Sequence, residues 1–170
     1  MKPYQRVANR YLTTDKSIKI VKTDELANDE STHAVSLRVD QDEVGYVEGK
    51  LSLYTLEEIS YLRCSKDILD LYGLWEHDAG WRDEIPVFEV LESDIFEEEY
   101  RSQGLGLQIY KELANLARSD SRLPMFFIPN YCNKQYGTTT DKARRVWKSL
   151  TRSNPNTSGD VVLMIERKLR

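Results

Sequence analysis

The sequence has no surplus of positive charge: 24 lysines and arginines stand against 28 aspartates and glutamates, a formal net charge of −4. Without a general positive field to gather phosphate backbones or anionic lipid, neither nucleic acid nor a membrane is an expected partner. Long apolar runs are missing as well. Stretches such as Met125-Phe126-Phe127-Ile128 are far too short to span a bilayer, and the N-terminus shows no apolar signal region, so a cytoplasmic protein is expected. Cysteine is scarce. Cys64 and Cys132 are the only two, with 67 residues between them and no metal-ligand spacing, which argues against a disulfide framework and a metal site and leaves two free thiols. There is no internal repeat and no low-complexity tract. A chain of 170 residues with 40% hydrophobic content is sized for one domain with a real core.

Residues 1–16 read as an N-terminal arm or short helix, from the spacing of Val7, Tyr11 and Leu12, and residues 17–170 as one domain. Ser17 to Lys22 alternates as a first strand. His33 to Val39 and Val44 to Tyr54 are strands joined by a tight loop over Asp40 to Glu43. Thr55 to His77 changes to helical spacing through Leu56, Ile59, Leu62, Ile68, Leu69 and Tyr72. It ends in a loop expected to carry Trp75 and Trp81, which could contact a ligand or simply pin the loop to the core. Val87 to Phe96 is apolar on both faces, as a central strand is. A helix from the glycines to about Ser119, a strand over Leu123 to Asn130, a helix over Thr140 to Leu150 capped by Thr140 or Asp141, and a strand over Asp160 to Ile165 complete the order. Alternating strands and helices in the second half define an α/β (α+β) fold.

The segment with the most chemistry is Arg101-Ser102-Gln103-Gly104-Leu105-Gly106-Leu107, between the central strand and the long helix. Glycine there lets the backbone turn tightly and approach a ligand, and a helix N-terminus offers unpaired N–H donors with a partial positive charge. Such a turn binds phosphate or serves as a plain connection. A P-loop is excluded by the lack of Gly-Lys-Ser or Gly-Lys-Thr, and the dinucleotide fingerprint wants three glycines where this segment has two.

The same segment resembles the GNAT superfamily of N-acetyltransferases, whose signature is Gln or Arg, two residues, Gly, one residue, then Gly or Ala. Tyr100 before the arginine, the acidic residues before that, and the strand–helix–strand–helix order that follows are similar to the family over roughly residues 17 to 170. The resemblance implies a mixed central sheet with a strand, glycine loop and helix forming an acetyl-CoA site. Pyrophosphate would lie against backbone N–H groups of Ser102 to Leu107, with Arg101 and Thr140 nearby, and pantetheine along Asp94, Ile95 and Phe96 like an added strand. Glu92, nine residues before Arg101, occupies the position of a common family base, with Glu89 second; strict alternation would put the two on opposite faces. The family's frequent acid is a tyrosine in the second helix. Here Trp147 stands in its place and an indole cannot supply that proton, so Tyr131, Tyr136, Cys132 or water would have to act.

The resemblance therefore implies direct transfer from acetyl-CoA to a primary amine of a small molecule or peptide, without metal. A cofactor-binding module that has lost catalysis is the rival, given Trp147. Glu57, Glu58, Glu76, Asp78, Asp83 and Glu84 would suit a cationic amine such as a polyamine, aminoglycoside or lysine side chain, or form a solvated face. Residues 7–12 could dock a partner or a second copy, giving a homodimer, or just pack.

Overall fold

The computed structural model describes residues 5–7, 18–22, 32–79, 84–95, 104–120, 124–132 and 141–165. Its strands are β1 (Gln5–Val7), β2 (Ile18–Lys22), β3 (Thr32–Val39), β4 (Asp42–Tyr54), β5 (Ile85–Ile95), β6 (Met125–Pro129), β7 (Thr157–Ser158) and β8 (Val161–Met164). The helices are α1 (Leu56–Ser60), α2 (Ser65–Ala79), α3 (Leu105–Asp120) and α4 (Asp141–Ser153). All eight strands join one sheet in the order β1-β2-β3-β4-β5-β6-β8-β7. Among the described residues only β5 and β6 run parallel; every other pair is antiparallel. This is the mixed α/β sheet expected, and α3 supplies the crossover that a parallel pair requires.

Two cores form because the sheet is covered on both sides. On one face Val35, Leu37, Val47, Phe88 and Val90 pack against Leu105, Ile109 and Leu113 of α3 and Trp147 and Leu150 of α4. On the other, Ile85, Val87, Phe126 and Ile128 meet Ile59 of α1 and Ile68 and Leu71 of α2. The strongly apolar β6, buried at every position, is what sits between the two layers.

Local chemistry sets the boundaries. β3 and β4 are linked by Asp40 and Gln41 alone, with Asp40 at φ 56, a left-handed conformation that aspartate tolerates. Thr55 and Glu58 cap α1 reciprocally: the Glu58 N–H donates to Thr55 Oγ1 at 3.2 Å and the Thr55 N–H to Glu58 Oε2 at 2.7 Å.

Several expectations change. Gln5 to Val7 is a strand paired with β2, within the segment that the spacing of Val7, Tyr11 and Leu12 reads as an arm or short helix; Tyr11 and Leu12, with the rest of residues 8–17, lie outside the described residues. Trp75 belongs to α2, which continues to Ala79, and not to a loop; Trp81 lies outside the described residues. The strand β7 is also new. The Ser158 hydroxyl of β7 donates to Asp67 Oδ1 of α2 at 2.7 Å, so a side chain distant in sequence fixes it.

Candidate active site

The site is set by where β5 and β6 part. Their parallel ladder runs from Val87/Phe126 to Val90/Pro129 and stops. β6 then turns into a 3-10 segment, Asn130 to Cys132, while β5 runs on for five residues to Ile95. Asn130 Nδ2 donates to the Leu91 carbonyl at 2.9 Å, closing the apex of the divergence. Proline at 129 suits such an ending because it has no N–H to continue a ladder.

Beyond the apex, α3 begins at Leu105. Gly104 just before it has φ 76, and the Gln108 N–H donates to the Gly104 carbonyl at 3.2 Å, making Gly104 the cap. The N–H groups of Leu105, Gly106 and Leu107 are the first-turn donors that a helix cannot satisfy internally. Leu105 itself is buried, so its backbone and not its side chain is available. Gly106 also meets a packing need within the chain. A Cβ there would lie 3.2 Å from Val146 Cγ2, tighter than an ordinary contact, so the missing side chain lets α4 pack closely on α3. Leu107 packs against the same core. Phe96, Arg101, Ser102, Gln103, Tyr136 and Thr140 lie outside the described residues.

The two candidate bases share a face, contrary to strict alternation. The β4–β5 register pairs Lys50 with Glu89 and Glu48 with Glu92, and a bulge between Glu48/Gly49 inserts the extra residue Leu91 on β5. Lys50 and Glu48 are two apart on one strand, so both glutamates point to the α1–α2 side. They differ in setting. Glu89 is 7% exposed, below α1 and α2 and close to Cys132 and Tyr54, whereas Glu92 and Asp94 are exposed on sheet that no described helix covers.

Glu92 lies within a small network that the sequence did not reveal. The Tyr46 hydroxyl donates to its carboxylate across the β4–β5 diagonal, and Glu48 sits directly opposite it. Burial first, then Glu92 and Asp94, hold the Tyr46 phenol well above its ordinary range, so it stays protonated as a donor. Burial and Glu92 also push the Glu48 carboxyl up. The alternation of Tyr46 and Glu48 along β4 was visible in the sequence; their pairing with Glu92 needed the register.

On the opposite face, Ser93 Oγ and the Tyr110 hydroxyl are 2.6 Å apart, tying β5 to α3. Tyr110 is 3% exposed and stands edge-on to Trp147, with ring centroids 5.8 Å apart at 89°. Trp147 also packs 5.1 Å from Phe127 and is 1% exposed: it is a core residue. Tyr131 is half-buried against the α1–α2 core. Cys64 and Cys132 are free and buried, with the thiols hydrogen-bonded to one another and the Arg63 N–H donating to the Cys132 carbonyl at 2.9 Å. The Cys64 contact and burial push the Cys132 thiol well above its ordinary range, so it is a poor acid.

Among the described residues no cluster of His, Cys, Asp and Glu is arranged to hold a metal, and no helix is long and apolar enough to cross a membrane. What fold and site define together is a mixed α/β sheet whose one parallel strand pair diverges beside a glycine-capped helix start. No family model matches the chain, and no curated protein matches it. Among solved structures, AtaT complexed with acetyl-methionyl-tRNAfMet is 14% identical with a TM-score of 0.48, over 80% of this chain and 72% of that one. An uncharacterized protein from Bacillus halodurans is 11% identical with a TM-score of 0.43, over 96% and 88%.

Proposed function

We propose that this chain is an acetyl-CoA-dependent N-acetyltransferase that hands the acetyl group directly to a primary amine. The observation that carries the reading is the divergence of β5 from β6 after Val90/Pro129 next to the α3 N-terminus. The residues present fit that donor. The segment Leu91 to Ile95 extends past its parallel partner, where an amide-bearing chain can add as a strand does. First-turn N–H groups of α3 suit a pyrophosphate. Asp94, Ile95 and Phe96 would hold the pantetheine arm, and Arg101 to Leu107 with Thr140 the phosphates.

Acetyl-CoA supplies the activated acyl group and a thiolate leaving group. The chain's own task is to orient the amine and take its proton. Glu92 is best placed to do so, on an open stretch of sheet and held by Tyr46; a water can bridge the last gap. Glu89, buried under α1 and α2, is the poorer choice. A second reading, a CoA-binding module without turnover, is favoured by the burial of Trp147 at the position where the resemblance implies a tyrosine acid.

Acetyl-CoA should raise the melting temperature by mass action on the folded state, and NAD or ATP should do much less. Thiol release would then be followed over a panel of polyamine, aminoglycoside, lysyl peptide and aminoacyl-tRNA acceptors, each of which presents an amine. Stabilisation without thiol release from any of them would favour the binding module; no stabilisation at millimolar acetyl-CoA would sink both readings.

A further inference from the structure

We infer that Ser93 is the hydroxyl that holds the departing sulfur of the donor, and that Tyr110 is the positioning residue that frees the Ser93 hydrogen for it. The inference rests on the acetyl-CoA reading above and addresses the gap that Trp147 leaves in it. Ser93 belongs to the five residues of β5 that run past the ladder with β6. Its cross-strand partner is Val47, a core residue, so its side chain projects to the α3–α4 side, opposite Glu92. Glu92 and Ser93 on opposite faces of one strand can serve a transfer in which the amine and the sulfur approach the acyl carbon from different sides.

At 2.6 Å the Ser93–Tyr110 contact allows either oxygen to donate. The surroundings decide the direction. Tyr110 is 3% exposed and walled by Trp147, and its hydroxyl has no other hydrogen-bond partner among the described residues. Burial keeps the phenol protonated. Ser93 is half-buried, so a hydrogen on its Oγ can reach a group in the divergence. With Tyr110 donating to Ser93, the Ser93 hydrogen is directed away from the core, and each bond in the chain strengthens the next. In the step itself the amine nitrogen bonds to the acyl carbon and the carbon–sulfur bond breaks with its electron pair going to sulfur. The amine proton goes to Glu92, the Ser93 O–H steadies the thiolate, and water protonates it on release. Trp147 is then the wall that orients Tyr110, not a failed acid.

The test reads the thiol of CoA bound to the protein, through the ultraviolet absorbance of its thiolate against pH. Wild type should titrate below free CoA, and Ser93→Ala should move the midpoint back up by about one pH unit or more, the worth of a hydrogen bond to a charged group. Tyr110→Phe, which keeps the ring and guards against misfolding of the serine variant, should move it part of the way. In turnover, Ser93→Ala should lower kcat on the order of 10-fold with little change in KM for acetyl-CoA, and Ser93→Thr should restore it. Equal midpoints for wild type and both variants with CoA bound would overturn the Ser93 assignment alone. Failure of CoA to bind any of the three proteins would overturn it together with the acyltransferase reading.

Discussion

Replacing Gly49 by alanine tests whether the β4–β5 register, and with it the bulge that turns Glu92, is as close-packed as described. A Cβ at Gly49 would lie 2.3 Å from Phe88 Cε1, 2.8 Å from Phe88 Cζ and 2.7 Å from the Glu89 carbonyl oxygen. Neither neighbour can yield easily. The Phe88 ring is fully buried, with ring centroids 5.9 Å from Phe127 and 6.0 Å from His33, and Glu89 is a rung of the ladder. Overpacking of this kind costs about 1–3 kcal/mol, and two such contacts argue for the upper end. The lower backbone entropy of alanine returns roughly 0.5–1 kcal/mol. The net loss of about 2 kcal/mol corresponds to a fall in melting temperature of roughly 4–8 °C for a chain of this size. Gly73 is the internal control: it lies mid-way along α2 with nothing within 4 Å of a Cβ, so Gly73→Ala should gain up to about 1 kcal/mol of helix propensity and raise the melting temperature. Calorimetry of both variants gives the answer. A Gly49→Ala protein that melts at or above wild type would refute the packing argument, whatever Gly73→Ala does.

Glu92→Gln should lower turnover at neutral pH on the order of 100-fold while leaving acetyl-CoA affinity unchanged, and Glu89→Gln should affect stability more than rate; the reverse pattern in kcat and melting temperature would transfer the base role to Glu89. Three phenols, those of Tyr46, Tyr54 and Tyr110, are raised above the ordinary 10.0, by burial first and, in Tyr46 and Tyr54, by nearby carboxylates. The folded chain therefore keeps protons that the unfolded chain releases, so the stability they contribute is complete below pH 10 and is lost as pH rises beyond it. Urea midpoints should fall between about pH 9 and about pH 11, and a midpoint that holds or rises would contradict the direction of the shifts.

Much of the fold was legible because its strongest elements carry their own period. β3, β4, β5, α3 and α4 were all read near their observed limits, since each combines an apolar pattern with a local stop such as Asp40, Gly104 or Asp141. What failed depended on partners distant in sequence. β7 exists through Ser158 and Asp67, and β1 through its pairing with β2; neither partner is marked in the local pattern. The site shows the same division. The glycine turn and the glutamates stood out as residue types, but one inserted residue, Leu91, reversed the inference about their faces. Nothing in the sequence of β5 alone announces that bulge. Gly106 was likewise visible as glycine, while its close contact with the methyl group of Val146 across α3 and α4 belongs to tertiary packing.

Trp147 stands where the resemblance to the N-acetyltransferases implies a tyrosine, and its packing bears on the proposed role of Ser93 and Tyr110. An indole at that point of α4 is larger than a phenol, and it is accommodated by turning into the core against Phe127, where it is 1% exposed. That volume has a consequence on α3: Tyr110 is held edge-on to the indole, which leaves its hydroxyl aligned on Ser93. A phenol hydroxyl thus meets β5 on the α3–α4 side of the sheet, and it comes from α3; under the proposal above it would act through Ser93. A tyrosine placed at 147 would lose part of this wall, and Tyr110 would be free to turn. Large-to-smaller changes in a packed core cost stability before they add function. Trp147→Tyr should therefore melt lower than wild type and turn over no faster. A variant that turned over faster would mean that the hydroxyl missing from α4 limits the reaction, and that the Ser93–Tyr110 pair does not replace it.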